Sequence, residues 1–221
     1  MKSIRTAASL AAALFALPLA AHAQSSGNNR WEGFYAGLNA GGIWNNTSAT
    51  VYENGTSGGL NGNGGGFMGG VQGGYNYMFG PVVLGAEVDF QGSTGTSNLS
   101  GTVGPSYITA TSAVPWFSTL RARLGYAYGS VMPYVTAGAV WGHQNLYGFD
   151  PAAGGSFNAS NNFWTYAVGA GIEGHVTEAW TAKLEYLWIG TPDTALSSPA
   201  SASIDERSIG NVVRVGLNYH F

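Results

Sequence analysis

With no cysteine anywhere in the chain, histidines and charged side chains are the residues available for chemistry. Three of the four histidines, His143, His175 and His220, lie far from the N-terminus and far from one another, and none shows the H-x-x-x-H spacing that lets two imidazoles share an ion. A lipid-modifying site would need a serine beside His143, but Gln144 and Asn145 follow it. The G-x-G patterns between Gly62 and Gly70 have no following helix and no βαβ unit to place a phosphate on a helix N-terminus. The sequence therefore assigns no catalytic residue, no cofactor-binding residue, no metal ligand and no cofactor.

Charge is scarce. Only 9% of residues are Asp, Glu, Lys or Arg, against about 25% in an ordinary soluble domain. The net charge of −3 excludes the basic footprint of a nucleic-acid binder. Hydrophobic residues reach 45% and Gly 35 positions, yet beyond the N-terminus no apolar run is long enough for a membrane-spanning helix. Short strands with one face in lipid account for both facts.

The N-terminus reads as an export signal. Lys2 and Arg5 precede a mostly apolar run from Ala7 to Ala20, and Ala21-His22-Ala23 is an A-x-A cleavage site. The run is too short for a transmembrane anchor. The expected organisation is a signal peptide over residues 1–23, a periplasmic N-terminal segment over 24–33 and an outer-membrane barrel over 34–221. Six basic and eleven acidic residues remain after cleavage.

Eight segments alternate with period two, at about 34–44, 67–79, 82–92, 116–128, 131–142, 163–174, 179–189 and 210–221. Tight turns at Gly80-Pro81 and Gly129-Ser130, and a short one around Val176-Thr177-Glu178, follow the even-numbered segments. Long connections rich in Gly, Ser, Thr and Asn, at 45–66, 93–115, 143–162 and 190–208, follow the odd-numbered ones. Short periplasmic turns and long external loops are the pattern of an all-β, eight-stranded antiparallel up-and-down transmembrane β-barrel with both mature termini in the periplasm.

The two faces sort cleanly. Segment 179–189 sets Trp180, Ala182, Leu184, Tyr186 and Trp188 against Thr181, Lys183 and Glu185. Extended to all eight segments, the same parity puts every charged strand residue on one face: Glu87, Asp89, Arg121, Arg123, Glu173, Lys183, Glu185 and Arg214. A Lys or Arg in mid-bilayer costs about 2–4 kcal/mol, so this face is the lumen. Aromatics form two bands on the lipid face, one with Trp44, Trp116, Trp141, Trp164 and Trp188, the other with Phe34, Tyr77, Phe79, Tyr128, Trp180, Tyr219 and Phe221. A soluble β-sandwich shares the alternation but has no cause for these bands. Eight strands leave an interior that side chains fill. Inward glycines such as Gly37, Gly41, Gly70, Gly74, Gly169 and Gly171 make room for the longer charged groups. Glu87 and Asp89 are expected to meet Arg121 and Arg123, with Glu173, Lys183, Glu185 and Arg214 gathered beside them. Four acids against four bases make a structural plug, and removing one charge is expected to let ions through.

Phe34-Tyr35-Ala36-Gly37, Gly85-Ala86-Glu87, Arg121-Ala122-Arg123-Leu124-Gly125-Tyr126, Gly169-Ala170-Gly171-Ile172-Glu173 and Glu185-Tyr186 resemble the small outer-membrane "porin family" barrels of alphaproteobacterial surface antigens, which are OmpA-, OmpX- and opacity-like in architecture. The resemblance covers almost the whole chain after the export signal. It implies a non-enzymatic envelope protein of the Gram-negative outer membrane, in contact with membrane lipid and lipopolysaccharide. It also implies recognition by the barrel-assembly machinery through the terminal aromatics Tyr219 and Phe221. The leading expectation is an envelope-integrity and surface-interaction role, with host or envelope ligands at the external loops. The alternatives are a small passive pore and, since some members bind haem, haem or ligand capture through His143, Tyr147 or Tyr107.

Overall fold

The computed structural model describes residues 30–53, 56–103, 106–150, 155–190, 196–197 and 203–221. The expected signal peptide, its cleavage site and most of segment 24–33 lie outside them. Ten strands are present: β1 Gly33–Glu53, β2 Thr56–Phe79, β3 Val82–Ser93, β4 Thr96–Val103, β5 Ser106–Tyr126, β6 Val131–Asp150, β7 Gly155–His175, β8 Trp180–Ile189, the two-residue β9 Leu196–Ser197 and β10 Ser203–His220. All pairings are antiparallel, and β1 pairs with both β2 and β10, so the sheet closes. β3 and β4 run on as one stave between β2 and β5, broken at Thr94-Gly95. With β9 a short attachment to β10, the wall has eight staves. Closure leaves no unpaired strand edge in hydrocarbon, where each unpaired amide costs several kcal/mol.

The turns follow the sequence reading. Gly80 and Gly129 take φ of +58° and +62°, backbone that a side chain disfavours, and each sits in a two-residue hairpin. Alternation holds through the lower part of the staves. In β8, Thr181, Lys183, Glu185 and Leu187 are buried while Trp180, Ala182, Leu184 and Tyr186 are exposed.

The upper connections depart from expectation. Residues read as loops continue as paired strand: β1 and β2 stay in register out to Glu53↔Thr56, and β6 and β7 to Asp150↔Gly155. At about 3.4 Å per residue the 24-residue β2 is roughly 80 Å long, far more than the 9–11 residues a membrane needs. Composition misled here. Gly, Ser and Asn favour turns in isolation, but continued pairing with a neighbouring strand overrides that preference. Part of the 190–208 connection lies outside the described residues.

Candidate functional site

The lumen is filled from the wall inward. Each of the eight charged side chains identified by parity is at most 3% exposed. Their arrangement is one network rather than two neighbouring groups. Arg121 on β5 bonds Glu87 from Nη2, donates to Asp89 Oδ2 at 3.0 Å from the same nitrogen, and reaches Glu185 Oε1 at 3.0 Å from Nη1. Arg214 on β10 donates from Nε to Glu185 Oε2 at 2.6 Å and from Nη2 to Asp89 Oδ2 at 3.0 Å. Lys183 on β8 crosses the lumen to both oxygens of Glu87 at 2.8 Å. Arg123 pairs chiefly with Glu173, 2.5 Å away on β7, and stands 3.6 Å from Glu87. Arg123 thus reaches past the neighbouring stave to Glu173, because inward side chains meet across the lumen as well as along the wall.

Tyrosines tie the network together. Tyr35 donates to Glu87 Oε2 at 2.8 Å and accepts from Arg123 Nη1 at 2.9 Å. Tyr134 donates to Glu185 Oε1 at 2.9 Å, and its ring lies 4.1 Å from the Arg123 guanidinium. Gly74 makes this possible: a Cβ there would collide with the Tyr35 ring and hydroxyl. Beside the charges, Asn39 donates to Gln72, Gln72 to Asn218 and Asn218 to Glu173.

Two closures lie outside the sequence reading. At the end of the barrel that carries the tight turns, Trp31 is 2% exposed, packed with Val83, Met132 and Tyr134. Its indole donates to the Gly129 carbonyl at 3.3 Å, and its ring lies 4.3 Å from His175 and 6.3 Å from His220. His220 also stacks on Tyr35 and contacts Thr181. Trp31 precedes the first alternating segment, so no periodicity marks it. Above the charges, Met68, Phe117, Val140, Ala167, Leu187 and Val212 form an apolar septum, with Ile43 against it. Seven staves contribute one residue each. Parity contained this signal, since Leu187 follows Lys183 and Glu185 on the same face.

His143 lies apart from both closures. Its Nδ1 is 2.8 Å from Asn162 Oδ1 and its ring stacks on Trp116. Tyr147 is half exposed, and the Tyr107 side chain lies outside the described residues. Among the described residues no group of three or more metal-ligating side chains assembles. Tyr219 and Phe221 are exposed on the lipid face, and the Phe221 amide donates to Phe34 O at 3.0 Å. Aromatics of both bands are outward, with Trp141 and Trp164 at one end and Tyr128 and Phe79 at the other.

The family model described as "Outer membrane protein beta-barrel domain" matches residues 9–221. The 31 kDa outer-membrane immunogenic protein of Brucella melitensis is 38% identical over 204 residues, covering 86% of this chain and 84% of that one. The 22 kDa outer membrane protein of Rhizobium leguminosarum is 31% identical over 194 residues, covering 86% and 78%. The crystal structure of the outer membrane protein OprG from Pseudomonas aeruginosa aligns with a TM-score of 0.49 at 15% identity, covering 86% and 98%.

Proposed function

Because the chain belongs to the outer membrane protein β-barrel domain family, we propose that it is a non-enzymatic, non-conducting barrel that contributes to envelope integrity and presents its external hairpins as a surface antigen. It is an outer-membrane β-barrel protein. The observation that carries the reading is the interlocked lumen network, four acids against four bases, all buried. A conduction path needs mobile water and charges free to face it, whereas here each charge is held by a partner of opposite sign. The immunogenic relative's name fits exposed hairpins on the cell surface. Export through residues 1–23, periplasmic termini, insertion by the assembly machinery through Tyr219 and Phe221, and contact with lipopolysaccharide belong to the same proposal.

Planar-bilayer recording on the purified barrel tests it. The expected trace is rare or absent opening. Steady ohmic channels in the wild type would replace this reading with a passive pore. A haem titration covers the remaining alternative, and saturable binding lost in His143→Ala or Tyr147→Phe would favour it.

A further inference from the structure

β7 ends at His175 and β10 at His220, and the two rings meet at the tight-turn end of the lumen, their centroids 5.8 Å apart. The start of β8 stands between the two strands. Thr181 is paired to His175, and the His220 amide donates to the Ala179 carbonyl at 2.8 Å. Spacing along the chain gives no sign of this pair, because it forms across three neighbouring staves.

The hydrogen bonds fix where each ring carries its proton. His175 Nδ1 lies 3.3 Å from the Thr177 carbonyl, which can only accept, so Nδ1 holds the hydrogen and Nε2 is a bare lone pair. Thr181 gives its one hydroxyl hydrogen to Glu173 Oε1 at 2.6 Å. At 3.2 Å it therefore accepts from His220 Nε2, which leaves Nδ1 of His220 as the bare nitrogen. Both bare nitrogens are buried, and neither has a hydrogen-bond partner among the described residues. His220 as a whole is only 8% exposed. A buried acceptor without a donor is costly, and two of them on touching rings call for a shared electrophile.

The surroundings are those of an imidazole metal site. A histidine that ligates a metal almost always donates its other ring N–H to a backbone carbonyl or a carboxylate system, which fixes the tautomer. His175 donates to the Thr177 carbonyl, and His220 to Thr181, with Glu173 Oε1 3.7 Å from the same nitrogen. A metal–nitrogen bond of about 2.0–2.1 Å sets an ion roughly 3.2 Å from each ring centroid, so two rings on one ion have centroids about 5–6.5 Å apart. The observed 5.8 Å falls inside that window. Of the charges acting at His175, Glu173 favours a cation and Arg30 opposes one. Imidazole nitrogen suits copper, zinc and nickel, whereas calcium and magnesium require oxygen.

We propose that His175 Nε2 and His220 Nδ1 jointly bind a divalent first-row transition ion. Two protein ligands are fewer than the four of a structural site or the three of a catalytic one. Water fills the remaining positions, and the ion exchanges. His175 is only partly buried, so the ion arrives from water at the tight-turn end.

The test titrates Cu²⁺ into the untagged full-length protein, expressed with its own leader and folded in detergent micelles. One Cu²⁺ per barrel is expected, with an electron paramagnetic resonance spectrum split by two imidazole nitrogens. His175→Ala and His220→Ala should each weaken binding at least tenfold, since loss of an outer partner alone costs about 10–100-fold. His143→Ala, far from the pair, should leave it unchanged. Heat-modifiable migration confirms that each variant folds. Should His220→Ala fail to fold, the nitrogen count in the wild type and the loss of affinity in His175→Ala decide alone. Absence of saturable binding overturns the proposal. So does a wild-type spectrum with fewer than two imidazole nitrogens, or full affinity in a folded His175→Ala or His220→Ala barrel.

Discussion

Arg121 shows how much one lumen residue carries. Its guanidinium contacts Glu87, Asp89 and Glu185, and its Nε donates to Thr119 at 2.9 Å. Removing it leaves three buried carboxylates short of a cation, and breaking a buried pair costs about 3–5 kcal/mol. Arg121→Ala is expected to lower the urea unfolding midpoint in lipid vesicles, while Ala86→Val, whose side chain is exposed on the lipid face, leaves it nearly unchanged. An Arg121→Ala barrel as stable as the wild type would remove the network from any account of stability. Trp31 makes a second case. Truncating a buried Trp in a core costs about 3–5 kcal/mol. Trp31→Ala should therefore lower the midpoint measurably although the residue precedes the first strand. The identity of the lumen charges was legible because period two leaves each strand residue only two faces. Their partners were not, because Lys183 reaches Glu87 across the barrel, and that distance depends on stagger among eight staves. Trp31 was illegible for a plainer reason: a single aromatic outside any repeat looks like part of the segment that precedes the barrel.

At the scale of elements, the membrane portion of each strand could be read because lipid and lumen impose opposite demands on alternate residues. Above the membrane that contrast fades, since both sides are wet. β4 and the upper halves of β1, β2 and β6 therefore read as loops, although backbone pairing extends them. This changes what the long-connection end is: a set of ribbons continuous with the barrel wall. A tag at Asn98, exposed on β4, is expected to label on intact cells, whereas one at Gly129 should need permeabilisation. Reversed accessibility would invert the proposed orientation. The C-terminal strand carries a separate expectation. Val215, Leu217, Tyr219 and Phe221 all face outward, and deleting Phe221 removes the last aromatic and its amide bond to Phe34. Less folded protein should reach the outer membrane, read as loss of the heat-modifiable band. Normal yield from the truncated gene would detach Tyr219 and Phe221 from assembly.

For the whole molecule, the lumen is best treated as barriers in series. From the tight-turn end upward they are Trp31 with its histidine and tyrosine neighbours, the charged network with its amides, and the apolar septum. Resistances in series add, so opening one layer leaves the path blocked by the others. The expectation that removing a charge lets ions through therefore changes once the septum is seen. Arg121→Ala alone should destabilise the barrel without giving steady current. The septum opposes ions differently, since it offers neither water nor a counter-charge to an ion that must shed its hydration. Phe117→Ala with Leu187→Ala removes two of the bulkiest side chains meeting there, yet leaves the salt bridges below intact. That pair alone should also stay silent. Combined with Arg121→Ala and Trp31→Ala, it should produce measurable openings in planar bilayers, provided the heat-modifiable band shows that the barrel still folds. Steady current from Arg121→Ala by itself would mean that the septum and Trp31 do not seal. Silence from a folded quadruple variant would place the barrier in the external ribbons instead.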